Sequence, residues 1–199
     1  MSDAEKHKAE MQTLQAKKRQ RQKEAKDPEK GLVLVHTGKG KGKSSSAFGV
    51  IVRALGWGQK VGVVQFIKGN WVTGEKRFFA NLGEVTWHTM GEGFTWDTQD
   101  KERDITAAVT AFAQAAAMME SGDFDLVVLD EINIALRYEY LDIQAVIDGL
   151  EKRDARTSVI LTGRDAKPEL MEYADLVTEM TEVKHPFHAG IKAQRGVDY

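Results

Sequence analysis

Leu32-Val-Leu-Val-His-Thr37-Gly-Lys-Gly-Lys-Gly-Lys43-Ser44-Ser45 is the stretch on which the reading of this chain turns. An apolar run, Leu32–Val35, leads directly into alternating glycines and lysines, and a helical pattern follows from Ala47 to Leu55. Strand, glycine-rich turn, lysine–hydroxyl pair and helix make up a phosphate-binding loop. Gly38, Gly40 and Gly42 let the backbone bend so that successive amide groups converge on one point. The new helix adds its positive end there. Lys39, Lys41 and Lys43 add charge, Lys43 is placed to reach phosphate oxygens, and the Ser44 hydroxyl, with Ser45 beside it, is placed to ligate Mg²⁺. A nucleoside triphosphate is the expected ligand. One position departs from the usual pattern: Thr37 stands where the first glycine, five residues before the Gly-Lys pair, is expected. The competing reading is a basic surface turn, and the strand before it and the helix after it argue against that.

The chain has 199 residues, enough for one domain with a real core and an appendage. No apolar run approaches the roughly 18 residues of a membrane span, and no signal peptide opens the sequence. There is no cysteine, which excludes disulfides and thiolate metal sites. A cytoplasmic, membrane-free protein is expected. The net charge of −2 argues against nucleic acid as a partner. Charge is unevenly spread: residues 1–30 hold nine Lys/Arg against six Asp/Glu.

Residues 1–30 therefore read as a charged arm, helical or disordered, and residues 31–199 as the domain. Strands are expected at Gly31–His36, Val61–Ile67, Val85–Met90, Leu126–Leu129, Ser158–Leu161 and Leu176–Met180. Helices are expected at Ser44–Leu55, Gln99–Ser121 and Ile143–Lys152. Continuous apolar strands separated by helices imply an α/β fold, a mainly parallel sheet with helices on both faces.

Leu126-Val-Val-Leu-Asp130-Glu131 is the second signal. An apolar strand ending in acids is a Walker B arrangement, which in P-loop proteins sets a carboxylate beside the Mg²⁺ held by the loop hydroxyl. Alone it is weak; behind the loop it gains force. Gly91-Glu-Gly-Phe94-Thr95-Trp96 puts two aromatics just after a strand, where α/β sheets bind ligands. Two readings stand: Phe94 and Trp96 present apolar surface to a flat organic ligand, or they anchor the loop in the core. Arg53 and Arg164 are candidates for pairing with phosphate and equally read as surface charges. His185 and His188 flank Pro186, which argues against a shared helix face for metal. His36 and His88 read as packed histidines.

At this point the residues resemble a known family, the P-loop ATP:corrinoid adenosyltransferases. The matching blocks are Thr37–Ser44, Val61-Gly-Val-Val-Gln-Phe-Ile-Lys-Gly69, Gly93–Trp96, Val127–Glu131, Tyr138–Leu141, Thr162-Gly-Arg164, Val183–Phe187 and Gly190–Gln194. The resemblance implies a RecA-like P-loop NTPase fold and a homodimer. It implies a reaction in which Co(I) of cob(I)alamin, or of a cobyrinate- or cobinamide-type corrinoid, attacks C5′ of ATP and displaces triphosphate. It further implies that Lys43 and the loop hold the phosphates, and that Ser44 and Glu131, with Asp130 behind, hold Mg²⁺. Phe94 and Trp96 would lie against the lower face of the corrin and help remove its axial ligand, and the arm would help close the site. A reduced flavodoxin-like donor is implied as the source of electrons. Lys39 and Ser44 stand where the family commonly has Asn and Thr. Two other classes compete: a P-loop ATPase or kinase acting at the γ-phosphate, and a nucleotide-dependent binding module without catalysis.

Overall fold

The computed structural model describes residues 3–25, 30–67, 73–90 and 101–198. The chain runs α1 (Asp3–Glu24), β1 (Val33–Thr37), α2 (Lys43–Gly56), β2 (Val61–Gln65), α3 (Gly74–Leu82), β3 (Val85–Thr89), α4 (Lys101–Glu120) and β4 (Leu126–Asp130). It continues through α5 (Ile132–Arg137), α6 (Ile143–Glu151), β5 (Ser158–Thr162), α7 (Pro168–Tyr173) and β6 (Leu176–Glu179) to a 3₁₀ turn at Pro186–Ala189. The six strands form one sheet in the order β3-β2-β4-β5-β1-β6. Every pairing is parallel. A single strand, β5, stands between the loop strand β1 and the acidic strand β4, which is the RecA-like order of a P-loop sheet.

The strands are apolar on both sides because both sides are covered. Val33, Val35, Val64, Val127, Leu129, Val159 and Leu161 face a core completed by α4, α5, α6 and α7. Val61, Val63, Leu126, Val128 and Ile160 face the other way, against α2 and α3. Alternate residues of each strand thus go to opposite layers. On α2 the buried positions are Lys43, Ala47, Phe48, Ile51 and Ala54, one face at helical spacing. Leu161 is fully buried in an inner strand. Leu161→Ala is expected to cost about 2–5 kcal/mol of stability, measured by urea unfolding; a loss under about 1 kcal/mol would contradict this packing.

Three short helices had no sequence counterpart. α3 starts at Thr73, whose hydroxyl accepts from Lys76 N at 3.4 Å, and stops at Gly83 in the left-handed region (φ 68°). It buries only Phe79, so its apolar signal is faint. α5 and α7 span six residues each, and α7 begins on Pro168. His88, expected to be packed, is exposed, because β3 is an edge strand. In the arm, α1 is a 22-residue helix with no buried residue. Its Lys, Gln, Glu and Ala are strong helix formers, and acids in its first turn and bases in its last suit the helix dipole. Among the described residues no helix is long and apolar enough to cross a membrane.

Candidate active site

The site lies at the carboxyl ends of β1, β2, β4 and β5, where parallel sheets leave room for ligands. Thr37, at the departure from the loop pattern, is buried and occupied: its hydroxyl accepts from Ala166 N at 3.0 Å. Its carbonyl accepts from Met180 N at 2.9 Å. The loop then runs against the chain leaving β6. A Cβ on Gly38 (φ 94°) would stand 2.4 Å from the Met180 carbonyl oxygen. Gly40 N donates to that same oxygen at 2.7 Å. Gly42 caps α2 at φ 109°, a conformation that favours glycine.

Lys43 is buried, and its ammonium donates to the Gly40 carbonyl at 2.6 Å. Burial lowers its pKa, with Glu131 opposing and Arg164 assisting that shift. His36 is packed beneath the loop, its Nδ1 2.9 Å from the Ser46 hydroxyl, and burial lowers its pKa. At the end of β4, Asp130 is 2% exposed. It accepts from the Thr162 hydroxyl at 2.8 Å and from Gln65 Nε2 at 3.1 Å. Burial raises its pKa, while interactions with Ser44, Thr162 and Gln65 pull the other way.

Glu131 sits in the left-handed region at φ 61°, uncommon for a residue with a side chain. Burial first, and the neighbouring Asp130 second, raise its pKa to about 7 against the pull of Lys43, Arg164 and Arg137. Its Oε2 is buried and meets no hydrogen-bond partner among the described residues. Glu131, with this buried carboxylate oxygen left open, lines the same cavity as the Ser44 hydroxyl, and hard oxygen donors of this kind suit Mg²⁺. Among the described residues no group of three or more His, Cys, Asp or Glu could hold a metal ion. A cation here would draw its other ligands from phosphate and water, which Mg²⁺ accepts readily.

A cavity of about 910 Å³ is lined by the loop from Gly40 to Ser45, by Gln65, Asp130, Glu131 and Arg164, and by C-terminal residues including Ile191, Lys192, Gln194 and Asp198. Lys41 forms a hydrogen-bonded ion pair with Asp198. The structure therefore brings Gly40, Lys41, Gly42, Lys43, Ser44, Ser45, Asp130, Glu131 and Arg164 together. Gly38, Lys39 and Arg53 do not line this cavity. Lys39 is exposed and lines a different depression with Gly38, Asp165 and Glu179. Arg53 is exposed in the last turn of α2, away from the face that meets the sheet. Phe94 and Trp96 lie outside the described residues. His188 Nε2 is 2.8 Å from Glu182, and His185 accepts from Phe187 N.

Gln65, Thr162 and the C-terminal wall were not singled out from the sequence. The first two end strands β2 and β5 beside the acidic strand, a position that flags site residues once strand order is known. Nothing local marks Asp198 as the partner of a loop lysine.

The sequence profile of the family described as "ATP:corrinoid adenosyltransferase BtuR/CobO/CobP" matches residues 29–199. A corrinoid adenosyltransferase of Pseudomonas aeruginosa PAO1 is 55% identical over 156 residues, 78% of this chain and 77% of that protein. A corrinoid adenosyltransferase of Sinorhizobium sp is 48% identical over 158 residues, covering 78% of this chain and 74% of that one. One from Escherichia coli K12 is 44% identical over 155 residues, covering 78% and 79%. The loop, the acidic strand and these likenesses run through the same residues, and the chain belongs to the ATP:corrinoid adenosyltransferase family.

Proposed function

We propose that this protein transfers the 5′-deoxyadenosyl group of ATP to the cobalt of a doubly reduced corrinoid. The family match across residues 29–199 is the observation that carries this reading. In the step itself the Co(I) electron pair attacks C5′ of the ribose. The C5′–O bond breaks, triphosphate departs with the bonding pair, and a cobalt–carbon bond remains. The nucleophile belongs to the substrate, so the protein's tasks are to bind, to orient and to stabilise the leaving polyanion.

Lys43 and the loop amides would grip the phosphate tail, with Lys41 and Arg164 at the cavity wall adding positive charge. Gripping the tail directs the sugar carbon toward the corrinoid. Ser44 and Glu131 are the residues that would hold Mg²⁺, and the open Glu131 Oε2 supports this choice. Asp130 has its oxygens engaged by Thr162 and Gln65, which suits a supporting part. Bound there, Mg²⁺ would neutralise charge growing on the triphosphate. Incubation with ATP, Mg²⁺ and chemically reduced cobalamin, followed in the visible spectrum, tests the reading. A light-sensitive organocobalt product is expected, and its absence would overturn the proposal.

Phe94 and Trp96 remain assigned to the lower corrin face on the strength of the family resemblance. Replacing both by Ala is expected to slow turnover that starts from Co(II) by about tenfold or more, since base-sized aromatic contacts are worth roughly 1–3 kcal/mol each. A chemically pre-reduced substrate should be affected much less. Equal losses in the two assays would contradict the assignment. A homodimer and a reduced flavodoxin-like electron donor belong to the same proposal.

A further inference from the structure

We propose that Thr162 is a positioning residue that sets where the Glu131 carboxylate stands, and through it the cation-dependent part of nucleotide binding. This rests on the reading that Ser44 and Glu131 hold Mg²⁺. Thr162 closes β5 and is fully buried. Its single hydroxyl makes two bonds of fixed polarity. It accepts from the Glu131 backbone N–H at 2.9 Å. Its one proton therefore goes to Asp130 Oδ1, at 2.8 Å. One oxygen atom thus ties the turn after β4 to the carboxylate that precedes it.

That turn needs a tie. Glu131 is held at φ 61°, a conformation that costs a residue with a Cβ about 1–2 kcal/mol. Two residues on, Asn133 Nδ2 donates to the Gly163 carbonyl at 3.2 Å, so the turns after β4 and β5 are joined twice. The bend leaves Glu131 Oε2 buried and open beside Gly163, where an added Cβ would stand 3.2 Å from it. Without the Thr162 hydroxyl, the Glu131 N–H loses its acceptor and Asp130 Oδ1 loses the Thr162 proton, both at once. The left-handed bend then has one fewer restraint, and the carboxylate has no reason to hold its aim. Thr162 itself does not line the cavity, so its effect on ligand must pass through these acids.

The test uses the full chain and isothermal titration with ATP, with Mg²⁺ and without it. Wild-type protein is expected to bind ATP more tightly when Mg²⁺ is present. Thr162→Val keeps the shape and removes the hydroxyl. It should lose about tenfold or more of that enhancement, in the range found for residues behind a metal ligand, and leave Mg²⁺-free affinity within about twofold. Thr162→Ser should restore the enhancement, because it restores both hydrogen bonds. If Thr162→Val does not fold, Thr162→Ala removes the same hydroxyl with less volume and serves in its place. An enhancement that survives in the variant overturns the proposal. So does an equal loss with and without Mg²⁺, which is what a purely structural residue would give, or a failure of serine to rescue. A wild-type protein indifferent to Mg²⁺ would overturn the metal reading as well.

Discussion

Lys43→Ala is expected to abolish adenosyl transfer with every corrinoid supplied, a loss on the order of 10²–10³-fold in kcat. The ammonium is buried at the start of α2 and already turned onto its own loop through the Gly40 carbonyl. A cation fixed in a desolvated loop stabilises developing negative charge far more than a solvated one. Charge develops on triphosphate whichever corrinoid attacks, so the loss should not depend on the acceptor. Lys43→Arg should not rescue fully, because a planar fork does not replace a point charge in a tight loop. Steady-state kinetics with two corrinoids, beside a circular dichroism check of folding, measure this. A variant within about fivefold of wild type would remove Lys43 from the chemistry.

Glu131→Gln should lower Mg²⁺-dependent activity by about 10²-fold and at the same time stabilise the metal-free protein at alkaline pH. The sign follows from the shift. The folded carboxyl has a pKa of about 7 against an ordinary 4.5, with burial the main cause. Between those values the folded chain binds more protons than the unfolded one, so stability falls as pH rises through this window. The cost is absent below about pH 4.5 and complete above about pH 7. Glutamine carries no such cost. In the absence of divalent cation and nucleotide, the variant should exceed wild type by about 1–3 kcal/mol at pH 8, and the difference should shrink toward zero at pH 5. Urea unfolding at both values decides. A variant less stable than wild type at pH 8 would show that the carboxylate is satisfied within the protein, and not held open for a ligand.

The nucleotide end of the fold was legible because its signals are local. A glycine turn between an apolar run and a helical pattern lies within residues 32–55, and an apolar run ending in Asp130-Glu131 lies within residues 126–131. The parallel sheet followed from strands apolar on both faces. Short helices were not legible, since α5 and α7 are too brief for a periodic pattern to emerge. Arg53 shows a different limit. The buried positions of α2 fall at 43, 47, 48, 51 and 54, so a helical wheel already turns residue 53 outward. The glycines show a third. Gly38 and Gly40 look like phosphate-binding residues in sequence, yet both are pressed against the backbone leaving β6. Asp198 and the cavity wall around it come from the far end of the chain, and only the folded sheet reveals that they meet Lys41. Lys39, which looks part of the phosphate cradle, instead points to a neighbouring depression.

In the proposed reaction ATP is held by its phosphate tail so that C5′ and not the γ-phosphorus is attacked. ³¹P NMR identification of the phosphorus product, during a single incubation with ATP, Mg²⁺ and chemically reduced cobalamin, separates the two outcomes. Intact triphosphate, formed in step with the organocobalt product, is the predicted result. ADP with inorganic phosphate, or a phosphorylated acceptor, would contradict it and return the protein to the ordinary P-loop hydrolases and kinases.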